Sequence, residues 1–322
     1  MRTPMLTALL LTGVLLPWTT SAKERKPAGP PTPIGWLDLH AGSRSLSVPE
    51  PDLQKARRTA PRGAILPVFR TKEKHGATLA QVAVLNFDTG TRELGWVEIN
   101  PSEVKSADAY PPDSELKEAL GGPYLEDFTA EHTDVARFLL KQAGAPPVLL
   151  CYVVTMPRSM AKLAVFTVSE GKYSPASVSE IPLTDMQAGI TSFDVLDLVG
   201  DGSDCVITRE PFREQADTYG TNLRIRRVVH SRLQVMWQAP VEYRNLSQYA
   251  PKLQIVQPPE MNIGAPGTVT TGDVSFRPKG HGQEVVWKGK VEFFVFGRDR
   301  AVNSVNLEKA CPWDGDKFLP LR

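Results

Sequence analysis

Proline and glycine interrupt this chain at close intervals, 28 of one and 24 of the other in 322 residues. Both break helices, so the pattern favours many short strands over long helices. The apolar residues between the interruptions agree. In Ala80–Asn86 (AQVAVLN), Ala80, Val82 and Val84 share one face and Gln81, Ala83 and Leu85 the other, the period-2 arrangement of a strand. Asp88–Thr91 has the residues of a hairpin turn, and Leu94–Ile99 (LGWVEI) returns as its second strand. The expected fold class is mainly β.

Met1–Ala22 has the three-part layout of a secretory leader: Arg2 as its charge, an apolar run over Met5–Leu16, and small residues at Thr20-Ser21-Ala22. The run is shorter than the roughly 20 residues that cross a bilayer. The leader is expected to be removed after Ala22, leaving an exported chain, periplasmic or extracellular, with no transmembrane segment. Lys23–Pro33 is charged and then Pro-rich, and residues 23–60 are predicted as a largely disordered linker. Loss of the leader takes Arg2 and no acid from 37 Lys and Arg, leaving 36 against 36 Asp and Glu. A balanced charge argues against nucleic acid as a partner, because that binding neutralises phosphates with clustered cations. The cysteines are Cys151, Cys205 and Cys311. Cys151 lies inside the apolar run VLLCYVV as a small core residue, so Cys205 with Cys311 is the disulfide expected in an oxidising compartment.

Residues 61–106 are predicted as a small β domain. A strand at Ile65–Phe69, the hairpin above and the terminal Gly95-Trp96-Val97 resemble the second half of a bacterial SH3-like domain. The resemblance implies a small barrel. Residues 107–132 are predicted as a partly helical connector. Within it Asp113 or Ser114 caps a helix whose stripe is Leu116, Ala119 and Leu120. Tyr124–Gln142 fits either helix or strand, and an internal repeat favours strand for its second half. Asp134–Thr155 and Phe193–Pro211 each read as apolar strand, Gly-containing loop and apolar strand, and hairpins follow at Lys162–Leu183 and Asn222–Pro240. That spacing suits a four-stranded unit used twice. In the rest of a 133–320 β domain, Gly267–Phe276, Gln283–Trp287, Lys290–Phe296 and Ala301–Leu307 are candidate strands, with a turn at Gly289. A closed propeller usually needs at least about four blades. The domain is therefore expected to be propeller-like and open, or sandwich-like.

The sharpest motif is Asp197–Asp204 (DLVGDGSD). It resembles the D-x-D-G-D-G loop of integrin-like β-propeller repeats, which implies calcium held by Asp197, Asp201 and Asp204. Calcium takes six to eight oxygens. Val199 stands where the loop has a central ligand and Cys205 where many carry another acid, so a structural turn with at most weak calcium binding is expected. Arg224 and Arg226 alternate with Leu223 and Ile225 and are predicted on a solvated face. Trp237, Trp287 and Trp313 fall at or near strand ends and are expected to pack in the core or plug those ends, in preference to lining a carbohydrate or peptide groove. His40, His75, His132, His230 and His281 have no metal-ligand spacing, and no nucleophile elbow, P-loop or dinucleotide fingerprint occurs. The functional expectation is an exported, non-enzymatic binding or scaffold protein of the cell envelope or surface. Its partner would be an envelope protein, peptide or glycan, and it would use no cofactor. An envelope hydrolase with a dispersed site and a calcium-dependent adhesion module are the alternatives.

Overall fold

The computed structural model describes residues 32–39, 44–46, 58–87, 89–120, 133–155, 161–170, 172–181, 189–245, 267–294 and 300–321. The predicted leader and most of the predicted linker lie outside them, as do residues 121–132. Up to residue 181 the chain supplies β1 (Gly35–Asp38), β2 (Arg44–Leu46), β3 (Arg58–Ala60), β4 (Ala64–Lys74), β5 (Ala77–Asn86), β6 (Thr91–Ile99) and β7 (Val104–Lys105). Helix α1 (Asp113–Leu120) follows, then β8 (Thr133–Gln142), β9 (Ala145–Thr155), β10 (Ala161–Ser169) and β11 (Lys172–Ile181). After it come β12 (Ser192–Leu196), β13 (Cys205–Gln215), β14 (Thr218–Val229), β15 (Arg232–Asn245), β16 (Thr268–Lys279), β17 (Gly282–Phe293) and β18 (Asn303–Cys311). The protein is mainly β, built on two large antiparallel sheets, with no closed barrel or propeller among the described residues.

The first sheet runs β11-β10-β9-β8-β4-β1-β7, with β5 branching from β4 and β6 pairing β5. The predicted segment 61–106 therefore shares one sheet with the first predicted repeat. Its middle strands read as unbroken apolar runs because both faces are covered. On β9, Leu149, Cys151 and Val153 pack with Leu116 and Leu120 of α1. The alternate residues Leu150, Tyr152 and Val154 pack in a cluster with Phe193, Val195 and Val206 of the second sheet. Each predicted repeat is a meander of consecutive antiparallel strands, β8–β11 in one sheet and β12–β15 in the other.

The second sheet runs β12 to β18 in chain order. β15 and β16 share only the pairs from Glu242↔Thr271 to Asn245↔Thr268, and the sheet folds there so that β13–β15 and β17–β18 enclose one core. Trp287 fills its centre and donates its indole N–H to the Pro240 carbonyl at 2.9 Å. Gly289, expected as a turn, is instead inside a continuous β17. A Cβ there would come within 2.5 Å of the Trp287 ring, and one at Gly272 opposite it within 2.7 Å. Those glycines make room for the indole. The turn lies at Gly280, where φ is +62°.

Candidate functional site

The Asp197–Asp204 loop joins β12 to β13, and its acids are already engaged. Asp197 accepts from the N–H groups of Gly200 at 2.7 Å and Gly202 at 2.9 Å, holding two residues with φ of +78° and +86°. Asp201 accepts from the Ser203 N–H at 2.9 Å and pairs with Arg227. Burial opposes its ionisation, but that guanidinium holds its carboxyl below the ordinary value. Asp204 turns to the β8–β9 hairpin, accepting from the Lys141 N–H at 2.6 Å and donating its own N–H to the Lys141 carbonyl at 3.0 Å. Ser203 Oγ accepts from the Ala143 N–H at 2.8 Å. On the other side the Gln283 N–H donates to the Leu198 carbonyl at 2.8 Å, and Gly200 abuts the His281 carbonyl so closely that a Cβ would lie 1.9 Å from its oxygen. The loop thus fastens the second meander to two other hairpins. The three aspartates are brought into one loop and directed at three different partners. Among the described residues, no group of three His, Cys, Asp or Glu side chains is arranged to hold a metal ion.

The arginine face corrects the sequence expectation. Arg226 is buried, not solvated, and lies on the same face of β13–β14 as Val206, towards the first sheet. It forms a bidentate pair with buried Glu210, with one contact at 3.0 Å, and donates to Thr208 at 2.7 Å. Arg224 adds a 2.6 Å bond to Glu210 and one of 3.1 Å to Gln238. Desolvation works against ionised Glu210, yet the two guanidiniums and the Thr208 hydroxyl keep its carboxyl below the ordinary range. Strand parity identified the face correctly; the second layer covering it was not visible in β14 alone.

The cysteines bring a second correction. All three are free and buried, and the expected Cys205–Cys311 bridge is not formed. β13 and β18 are not neighbours in the sheet and meet only across its folded core. Both thiols are packed among the apolar side chains of that core instead. Burial pushes the Cys151 and Cys205 thiols up to about 12, which leaves them protonated and unreactive. Trp237 and Trp287 are core residues, and Trp313 packs edge-on against Phe318 at 5.1 Å.

The sequence reading passed over a polar cluster under α1. Arg137 is 2% exposed, between Val135 and Leu139 on the helix-facing side of β8. Its Nη2 donates to the Pro111 carbonyl at 3.0 Å and to Asp113 Oδ1 at 2.5 Å, and its guanidinium lies 4.8 Å from the Trp36 ring centroid. Asp113 also meets Arg92 Nη2 at 2.7 Å, and Asp134 accepts from the Arg92 N–H at 3.2 Å. Desolvation would raise the Asp113 carboxyl, but the two arginines hold it low. A lone arginine at an inward position of the apolar run VARFLL was the available signal. Beside it, where β4, β5 and β8 part, is a cavity of about 20 Å³ lined by Arg92, Arg137 and apolar side chains.

β18 is the other candidate surface. It hydrogen-bonds to β17 along nine residues, and no strand among the described residues pairs its far edge. Ser304, Asn306 and Glu308 are exposed, while Leu307 packs against the core of the second sheet. No protein family, curated protein or solved structure matches the chain.

Proposed function

We propose that this is an exported, non-enzymatic binding or scaffold protein of the cell envelope or surface, which takes an extended segment of a partner along β18. The open edge of that strand carries the reading. A row of backbone N–H and C=O groups on a rigid sheet is a template for strand addition, with main-chain bonds giving affinity and alternate side chains giving selectivity. The sequence resemblance of residues 61–106 to SH3-like domains, and of the two repeats to propeller-like units, supports the same class by analogy alone. The charged leader followed by apolar and small residues supports export.

Display of extended peptides against the chain lacking residues 1–22 tests the binding. In an antiparallel strand, adjacent amides point to opposite edges. Of Asn306→Pro and Leu307→Pro, one therefore removes an outward amide and should abolish peptide binding while the fold persists. Binding unaffected by either substitution, or selection of soluble glycans in place of peptides, would overturn strand addition. Mass spectrometry of the exported protein should find Lys23 at its N-terminus.

A further inference from the structure

We infer that the open edge of β18 reads its partner segment by charge as well as by shape. The segment runs antiparallel to β18 and carries, in chain order, an acid, a base, an aliphatic residue, a polar residue and a second aliphatic residue. These stand opposite Lys309, Glu308, Leu307, Asn306 and Val305. The pattern rests on strand addition at β18 as proposed above. Every neighbouring pair in the second sheet is antiparallel, the slightly more stable arrangement, and the added strand continues it. Its base follows from a ladder of alternating charge that crosses the sheet and ends at this edge. Arg209 meets Asp273 at 3.3 Å, Asp273 stands opposite Lys288 on β17, and Lys288 meets Glu308 on β18 at 3.1 Å. Glu308 is exposed, and no strand among the described residues stands on its other side. A cation there continues the alternation, whereas an acid would meet like charge directly across the ladder.

The other face of β18 sets the remaining positions. Successive side chains point to opposite faces, and along β18 Ser304, Asn306 and Glu308 are exposed while Val305, Leu307 and Lys309 are half-buried. Leu307 packs against the core of the second sheet, opposite Gly289, which makes room for the Trp287 ring. Val305 stands opposite Val291, which is fully buried. The apolar layer thus reaches β18 and stops with two aliphatic side chains half covered. Aliphatic residues across from them extend it. Lys309 lies on the same face and has no acid as its partner among the described residues, so an acid opposite it gains a cation. A second copy of this chain does not meet these demands. In a two-fold antiparallel pairing of β18 with itself, residues of the same face meet, so Glu308 and Lys309 never find each other. The occupant is a segment of a different protein.

Labelled peptides titrated against the chain lacking residues 1–22, with fluorescence anisotropy as the readout, test the pattern. The reference peptide carries glutamate, lysine, valine, threonine and valine in that order, flanked by threonines. Exchanging its glutamate and lysine keeps composition and net charge, and should weaken binding about three- to tenfold. Replacing both valines by serine should weaken it by more than about tenfold. Glu308→Lys, at an exposed position, should reverse the preference between the reference and a peptide with glutamate at both charged positions. If that variant does not fold, the exchanged peptide on the unaltered chain decides the matter. Equal affinity for the reference and exchanged peptides would overturn the charge pattern and leave strand addition standing. Binding of none of these peptides would overturn both.

Discussion

In the first meander, β8–β11, buried Arg137 keeps one donor without an acceptor in the protein; in the second, β12–β15, Arg226 meets Glu210 with both ends of its guanidinium and Thr208 besides. The hairpins differ in the same direction. β8 turns into β9 at Ala143-Gly144, whereas β12 reaches β13 through the eight residues of Asp197–Asp204, and those residues reach back to hold the shorter turn. At its buried arginine the second meander is thus the closed one, and it supplies bonds to its surroundings. The first receives them and retains an open donor. A closed network is a fastening.

The largest expected effect is Glu210→Ala. It leaves Arg226 buried without its counter-charge, which costs about 3–5 kcal/mol. Urea denaturation should show it as a fall in midpoint with an unchanged slope. Asp113→Ala in the first meander should cost clearly less, because Asp113 is partly exposed and Arg137 keeps the Pro111 carbonyl and the Trp36 ring. Equal losses would erase the contrast between the meanders.

Acid should sharpen it. Glu210 and Asp113 both have folded-state carboxyls held below their ordinary values of 4.5 and 3.8. A depressed folded value contributes stability that is complete above the ordinary value and is lost as pH falls through the folded one. Denaturation midpoints should hold steady from neutrality down to about pH 5 and decline below it. Glu210→Gln should flatten the decline, and an unaltered slope in that variant would assign acid sensitivity elsewhere. Next in size, Asp204→Ala strips the acceptor from the Lys141 N–H, at a cost of about 1–3 kcal/mol. Hydrogen exchange at Lys141 should accelerate with it. Unchanged protection there would mean the tie between the sheets does not depend on Asp204.

These contrasts divide what the sequence made legible from what it hid. Period-2 alternation located the strands, as in Ala80–Asn86, and the repeated strand–loop–strand pattern marked both meanders, because each is a local, consecutive unit. What depended on the second layer was hidden. Arg226 has the parity of a surface residue, and only the neighbouring sheet makes it a core one. Gly289 carries the sign of a turn, and only Trp287 two residues earlier explains it as space for a ring. Arg137 was overlooked because the residues that engage it, Trp36, Pro111 and Asp113, lie far away in sequence.

The smallest expected effect is that of calcium on the Asp197–Asp204 loop, and it probes whether the second meander is as closed as the comparison holds. Calcium would need six to eight oxygens. Here both Asp197 oxygens hold glycine amides, Asp201 is divided between Ser203 and Arg227, and one Asp204 oxygen is committed to Lys141. Val199 offers no side-chain oxygen. Binding calcium would mean giving up Arg227 and the amides before any ligand bond is gained. A ligand present at 100 times its Kd adds about 2.7 kcal/mol to the folded state, a shift that thermal melting resolves easily. At one millimolar calcium the midpoint should match that in chelator. Asp201→Ala should change stability by no more than about 1 kcal/mol, since its ion pair is partly exposed. A rise of several degrees with calcium, lost in Asp201→Ala, would show that the loop exchanges its internal bonds for a cation, and the second meander would then be the open one.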